Sequence, residues 1–291
     1  MMVIKEEYFA PGHKACAGCA VPILVRWVLK FAGKNTIVVN STGCLEVFST
    51  QYPHTSWKVP WLHTAFENSA ATASGVETVL RKKGDDKTNV IVFAGDGATS
   101  DIGIQALSGM AERGHNIMYI MYDNEAYMNT GIQRSSATPW GSWTTTSEVG
   151  SKNKIGKMEM KKPMAEIMAA HNIPYVATVN IAYFNDFKMK IEKALSIKGP
   201  KFIHALSSCT TGWKHDPGKT IEIMRLATTT GIFPLYEVEN GNMKITYKPE
   251  TMVPVTEYLK TQGRFRHLIN NKEAIDKIQS QVDSWWKKKA Q

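Results

Sequence analysis

The sequence predicts an α/β fold built on a mostly parallel sheet flanked by helices, with a C-terminal appendage. Three observations carry that prediction. Strand-like and helix-like segments alternate through roughly the first 200 residues. The strand-like segments are short, nearly uninterrupted apolar runs, as strands covered on both faces require. Several of them stop at turns rich in chemistry: Thr42-Gly43-Cys44, Gly95-Asp96-Gly97 and Asp123-Asn124.

Residues 36–40 (TIVVN) read as the first strand. Residues 65–83, rich in Ala and closing on Arg81-Lys82-Lys83, read as a helix whose basic end suits the negative pole of its dipole. Residues 89–94 (NVIVFA) form a buried strand, and a helix is predicted over 102–113 with Asp101 near its start. The next buried strand is 116–122 (NIMYIMY). Between 127 and 162 Ser, Thr, Gly and Lys dominate, and so long a connection marks a functional loop. A helix over 164–171, a strand over 175–179, a helix over 185–196 and a last strand over 201–206 follow, with Cys209 just beyond. Past Gly231 the character shifts. Asn240-Gly241 between 235–239 and 243–247 is a strong hairpin signal. Residues 255–259 and 274–288 then read as helices. The expected division is an α/β domain over 1–230 and a hairpin with a helical tail over 231–291, open to a partner subunit.

At 291 residues and 43% hydrophobic, the chain buries a large core without disulfide or metal staples. It has no uncharged apolar run of about 18 residues, so no membrane partner is expected, and the N-terminus has no signal-like apolar stretch. A cytoplasmic, reducing location is the expectation, in which disulfides do not persist. The net charge of +9 is scattered, densest at Arg81-Lys82-Lys83, Lys161-Lys162 and Lys287-Lys288-Lys289. These lysines read as solvated helix faces, with steering of an acidic partner protein as the sharper alternative. No aromatic-interleaved basic stripe is present, so nucleic acid is not an expected partner.

Gly95-Asp96-Gly97 alone is only a tight turn. In a right-handed βαβ unit, however, consecutive strands present their carboxyl ends on one edge of the sheet. Asp96 and Asn124 then reach the same crevice, and with a backbone carbonyl such as that of Ala126 they supply hard oxygen donors suited to Mg²⁺. The helix expected near Ile102 aims its N–H groups there, where a diphosphate would sit. Gly97 and Gly131 permit close backbone approach. The arrangement resembles the thiamine-diphosphate motif, a GDG followed by an Asn-containing turn after the next strand.

Cys16, Cys19, Cys44 and Cys209 are the only cysteines. They are either unrelated thiols or one four-ligand metal site. Only one C-x-x-C is present, which fits a zinc ribbon poorly, although Cys₂His₂ zinc using His13, His54 or His63 stays open. Two of the four follow strand ends, and an iron–sulfur cubane accepts such scattered ligands. Gly12, Gly18, Gly43 and Gly212 leave N–H groups for its sulfurs.

Four motifs complete the reading: Ala10-Pro11-Gly12-His13-Lys14-Ala15-Cys16-Ala17-Gly18-Cys19, Ser41-Thr42-Gly43-Cys44, Gly95-Asp96-Gly97-Ala98 with Asp101-Ile102-Gly103, and Asp123-Asn124-Glu125-Ala126-Tyr127-Met128-Asn129-Thr130-Gly131. Through most of its first ~215 residues the chain resembles the thiamine-diphosphate-binding β subunits of 2-oxoacid:ferredoxin oxidoreductases, of the pyruvate (pyruvate synthase) type. The resemblance implies a thiamine-diphosphate-binding fold and Cys16, Cys19, Cys44 and Cys209 as ligands of one 4Fe–4S cluster. It implies Asp96, Asn124 and the Ala126 carbonyl as Mg²⁺ ligands. It also implies Cys44, Gly95, Asp96, Gly97, Ala98, Asn124, Glu125, Ala126, Tyr127, Met128 and Asn129 as cofactor contacts. The implied reaction is oxidative decarboxylation of a 2-oxoacid with coenzyme A as acyl acceptor and ferredoxin as electron acceptor, pyruvate first and branched-chain or aryl 2-oxoacids next.

In this family the glutamate that activates the cofactor lies on a different domain. No catalytic residue is therefore assigned here, Glu67 included, and activity should need an α subunit, alongside γ and δ partners. Several relatives have Gly-Glu-Thr after the second cysteine. Ala20-Val21-Pro22 stands there instead, so no contact is carried over to Val21. His63 reads as a pocket or core histidine, Trp140–Trp143 as a lid or packing loop, and Trp285 and Trp286 as packing inward or docking a partner. The competing classes are a non-oxidative thiamine enzyme component and a non-catalytic iron–sulfur electron-transfer module.

Overall fold

The computed structural model describes residues 6–289. The order is α1 (Val21–Ala32), β1 (Thr36–Ser41), α2 (Cys44–Ser49), β2 (Trp61–Thr64), α3 (Ser69–Lys82), β3 (Asn89–Gly95), α4 (Ile104–Glu112) and β4 (Met118–Asp123). After a long loop come α5 (Met164–Ala169), β5 (Tyr175–Asn180), α6 (Phe184–Ser196), β6 (Lys201–Leu206), α7 (Thr210–Trp213) and α8 (Thr220–Thr229). The chain closes with β7 (Leu235–Glu239), β8 (Asn242–Tyr247), α9 (Val255–Leu259) and α10 (Lys272–Lys289).

One eight-stranded sheet runs β2-β1-β3-β4-β6-β5-β7-β8. From β2 to β5 every pairing is parallel, and β7 and β8 add antiparallel at one edge. Every residue of β4, β5 and β6 is buried, as central parallel strands require. Alternation along each strand feeds two cores. Ile91 and Phe93 face the layer of α1, α6 and α8, whereas Val90 and Val92 face α3, α4 and α5. Each such side chain contributes about 1.5–3 kcal/mol of burial.

The chain passes from β1 outward to β2, then back across β1 to β3. The sheet therefore reverses direction between β1 and β3, and ligands of open α/β sheets bind at the carboxyl ends beside such a reversal. Register aligns those ends: Gly95 pairs with Tyr122, and Asp123 with Leu206. Thr42-Gly43-Cys44, Asp96, Asn124 and Cys209 thus all leave the same edge.

Three features depart from the sequence reading. The helix expected from residue 65 begins at Ser69, because Trp61–Thr64 pairs with β1 as an edge strand. The helix expected from Ile102 is already wound over Ala98–Ile102 as a π-helical turn, where Thr99 and Ser100 hydroxyls bond the carbonyls of Gly95 and Asp96 at 2.7 and 2.6 Å. α1 was not expected. Its Pro22 sits in the first turn, where proline is tolerated, and Leu24, Val25, Val28 and Leu29 form its buried stripe. Residues beyond Gly231 extend the main sheet through β7 on β5, and Trp286 donates to the Gly231 carbonyl at 3.1 Å. Trp285 likewise turns inward, donating to Glu166 at 3.0 Å. Among the described residues no helix is long and apolar enough to cross a membrane.

Candidate active site

Asp96, the residue directly after β3, is fully buried, and its Oδ2 accepts a short hydrogen bond from the Ser135 hydroxyl. One terminal atom of the Asn124 amide lies 2.9 Å from both Asp96 Oδ1 and the Ala126 carbonyl oxygen. With nitrogen there, the amide donates to both. With oxygen there, the amide oxygen stands from each of the other two oxygens at the edge length of an octahedron whose bonds are about 2.0–2.1 Å. Burial, reinforced by the nearby Asp123 charge, pushes the Asp96 carboxyl well above its ordinary range. An oxygen set of this kind, with one destabilised carboxylate, fits a hard divalent cation.

Around this set runs a cleft walled by Cys44, Gly95, Gly97, Ala98, Tyr127, Met128 and Asn129, together with Phe66 and Thr42. Gly97 is obligatory, since a Cβ there would collide with the Tyr127 ring. Tyr127 is held by hydrogen bonds from its hydroxyl to the Gly97 carbonyl at 3.3 Å and to Asp101 Oδ2 at 3.1 Å. Its ring lies 5.8 Å from that of Phe66. Thr42 is bonded to His63 Nε2 at 2.7 Å, which sets His63 at the rim, exposed rather than in the core.

Glu125, expected among the cofactor contacts, departs from this cleft. It adopts φ +70°, in the left-handed region, and its buried carboxylate turns away to Arg264 at 2.5 Å and Lys161 at 2.5 Å. Lys161 also pairs with Asp123 at 2.6 Å, and His204 meets the same carboxylate at 2.6 Å. Burial alone would raise Asp123, but Lys161 and His204 outweigh it and hold its pKa at about 2. Lys161 was expected on a solvated face. It is instead the counter-ion of two buried carboxylates that flank the Asn124 turn.

All four cysteines line one further cavity of about 120 Å³, together with Asn124 and Asn129. Burial pushes the Cys19 thiol up to about 12, with further upward pressure from Cys209 and Cys16. Cys44 rises for the same reasons, burial first and then Cys209, Cys19, Cys16 and Asp96. Cys209 is raised by burial against the pull of the Gly212 and Thr211 N–H groups, and Gly212 N donates to its Sγ at 3.2 Å. Cys19, Cys44 and Cys209, each raised by burial, become thiolates most readily when a cationic centre replaces their protons. Among the described residues no three Cys, His, Asp or Glu side chains converge tightly enough for one metal ion. A tetrahedral zinc needs sulfurs about 3.8 Å apart, given Zn–S bonds of about 2.3 Å. A multi-iron cluster attaches each thiolate to a different iron and tolerates wider spacing.

Sequence reasoning missed Ser135, Lys161, His204, Trp213 and Arg264. Trp213 Nε1 donates to the Asn124 carbonyl at 2.8 Å, and the Arg264 guanidinium lies 4.1 Å from the centre of the Trp213 ring. Their only sequence signals are an arginine and a tryptophan with no obvious surface role. Trp140 is buried, and Trp143 lies under Lys214, whose ammonium is 3.4 Å from the ring centre. Trp140 joins the main core with Lys277 of α10 4.3 Å over its ring, so both tryptophans pack against elements outside the loop.

Residues 41–205 match the thiamine pyrophosphate enzyme family, C-terminal TPP-binding domain. The pyruvate synthase subunit PorB of Methanocaldococcus jannaschii is 62% identical over 97% of this chain and 96% of that protein. The pyruvate synthase subunit PorB of Methanothermobacter marburgensis is 57% identical over 98% of each. A solved structure of the 2-oxoglutarate:ferredoxin oxidoreductase from Magnetococcus marinus, with 2-oxoglutarate, coenzyme A and succinyl-CoA bound, shares the fold. Its TM-score is 0.57 at 20% identity, over 75% of this chain and 79% of that one. With the GDG turn, the Asn124 turn and the thiols on one sheet edge, these matches place the chain in a family: it belongs with the pyruvate synthase PorB subunits, is built on a thiamine-diphosphate-binding domain, and is a component of a 2-oxoacid:ferredoxin oxidoreductase.

Proposed function

We propose that this chain is the cofactor-holding β subunit of a coenzyme A-dependent 2-oxoacid:ferredoxin oxidoreductase, with pyruvate as its 2-oxoacid and α, γ and δ subunits as partners. Asp96, Asn124 and the Ala126 carbonyl would hold Mg²⁺ on the diphosphate, and Cys16, Cys19, Cys44 and Cys209 would hold one 4Fe–4S cluster. When bound, thiamine diphosphate supplies the nucleophilic carbon for decarboxylation, and the cluster supplies the acceptor that relays electrons to ferredoxin. The chain's own residues anchor, orient and enclose. Tyr127 and Phe66 wall the cleft, Ser135 fixes the Asp96 carboxylate, and Gly212 gives a hydrogen bond to Cys209 Sγ.

The observation that carries the reading is the sharing of walls between the two sites. Cys44, Asn124 and Asn129 line both the cleft around Asp96 and the four-thiol cavity. An electron acceptor held in the second cavity would therefore adjoin a cofactor held in the first, which favours an oxidative over a non-oxidative thiamine enzyme. Pyruvate follows from the names of the relatives rather than from a pocket in this chain. The test is anaerobic co-purification with partner subunits, iron and sulfide analysis, and a panel of pyruvate, branched-chain and aryl 2-oxoacids with coenzyme A and a viologen acceptor. Coenzyme A-dependent viologen reduction fastest with pyruvate supports the reading. An iron-free preparation that still releases CO₂ overturns it.

A further inference from the structure

Resting on that reading, we infer that Trp213 and Arg264 act as one strut that positions the Asn124–Ala126 turn for Mg²⁺ and diphosphate, anchoring it to the helix that Cys209 caps. Four contacts define the strut. Trp213 Nε1 donates to the Asn124 carbonyl at 2.8 Å, and Trp213 N donates to the Cys209 carbonyl at 2.9 Å. The Arg264 guanidinium stacks on the Trp213 ring at 4.1 Å and pairs with Glu125 at 2.5 Å. Arg264 is 1% exposed, and its Nε is spent on Gln262 at 2.9 Å. It therefore serves no surface purpose.

The strut answers a local difficulty. Glu125 lies in the left-handed region although it is neither Gly nor Asn, a conformation that persists only when its surroundings over-determine it. Arg264 and Lys161 grip its carboxylate, Thr138 Oγ1 donates to its carbonyl at 2.7 Å, and its own N–H donates to Asp123 Oδ1 at 3.0 Å. The Asn124 amide and the Ala126 carbonyl thereby meet beside Asp96, with one amide atom 2.9 Å from both the Ala126 oxygen and Asp96 Oδ1. On the other side, α7 is pressed into place: a Cβ on Gly263 would lie 2.8 Å from Lys214 Cβ, and one on Gly212 would collide with the Met128 sulfur. The C-terminal segment thus reaches the cofactor turn through Arg264 alone among the strut's members.

The test uses the anaerobically purified multi-subunit complex and measures the Kd of thiamine diphosphate at saturating Mg²⁺. Trp213→Phe keeps an aromatic face but removes the indole donor, and it should raise Kd about tenfold. Arg264→Met should do the same, and Arg264→Lys should recover part of the loss, because the Glu125 pair survives without the planar stack. The double variant Trp213→Phe/Arg264→Met should be no weaker than either single change, since one unit is broken only once. Parent-like Kd values in the single variants overturn the strut, as does a double variant whose loss is the product of the two. Should Arg264→Met fail to fold, Trp213→Phe with Arg264→Lys decides by the same comparison. A parent complex that binds no thiamine diphosphate overturns the proposed function itself, and that result is visible before any variant is made.

Discussion

Cys44 and Asp96 wall the same cleft although they leave different strands, Cys44 just past the end of β1 and Asp96 directly after β3. The Asp96 charge is one of the influences that raise the Cys44 thiol. The Cys44 sulfur and the Asp96 carboxyl thus influence each other across the cleft. The reversal of strand order between β1 and β3 creates that neighbourhood.

Asp96 is expected to be indispensable for cofactor binding and dispensable for folding. Its fully buried carboxyl is held well above the ordinary range by burial, which favours the neutral form, so an uncharged Asn of the same shape costs the cofactor-free chain little. Asp96→Asn should weaken binding of thiamine diphosphate with Mg²⁺ about a hundredfold or more. The melting temperature of the cofactor-free complex should stay level or rise. Calorimetric titration and thermal melts measure the two halves of this prediction.

Cys209 lies 165 residues beyond Cys44 in sequence, yet both line the four-thiol cavity. Cys209→Ser should reduce iron from about four per chain and broaden or abolish the cluster signal in electron paramagnetic resonance. An intact cluster in that variant removes Cys209 from the ligand set.

The Glu125 ion pairs predict an asymmetric energy cost. Glu125→Gln leaves the buried Arg264 charge without its carboxylate and should lower stability by about 3–5 kcal/mol. Glu125→Gln combined with Arg264→Met should cost clearly less than the sum of the two single changes. A double-mutant cycle from chemical denaturation of the complex measures the difference.

Lys201 supplies a pH dependence with a definite sign. It is 4% exposed, its ammonium donates to Asn116 Oδ1 at 2.7 Å, and burial, aided by Lys198, lowers its pKa to about 7. The unfolded lysine titrates near 10.4, so between roughly pH 7 and 10 the unfolded state binds more protons. Stability should therefore rise with pH across that window, by on the order of 3 kcal/mol from this group. Lys201→Met should flatten the rise, as denaturation midpoints at several pH values will show.

The parts of the site that were legible in the sequence are those carried by contiguous turns at strand ends. Gly95-Asp96-Gly97 and Asp123-Asn124 announce themselves because a strand, a glycine and an oxygen donor fall together, and parallel topology then aligns them. Strands β1, β3, β4, β5 and β6 were legible as apolar runs for the same reason. What escaped depends on long-range pairing. Arg264 meets Glu125 across 139 residues, and Lys161 emerges from a loop whose composition reads as solvated. β2 escaped because Trp61-Leu62-His63-Thr64 is an edge strand with little buried surface and no apolar run. The π-helical turn escaped because hydroxyl back-bonding, not apolar periodicity, sets it.

The proposed function puts an electron acceptor in the four-thiol cavity, beside the cleft where the cofactor would act. The direct measurement mixes the anaerobic, reductant-free complex with pyruvate and freezes it for electron paramagnetic resonance, with and without thiamine diphosphate and Mg²⁺. A reduced 4Fe–4S signal that appears only when the cofactor and Mg²⁺ are present, and vanishes in Asp96→Asn, is the predicted result. Pyruvate decarboxylation at full cofactor occupancy with no cluster reduction contradicts it.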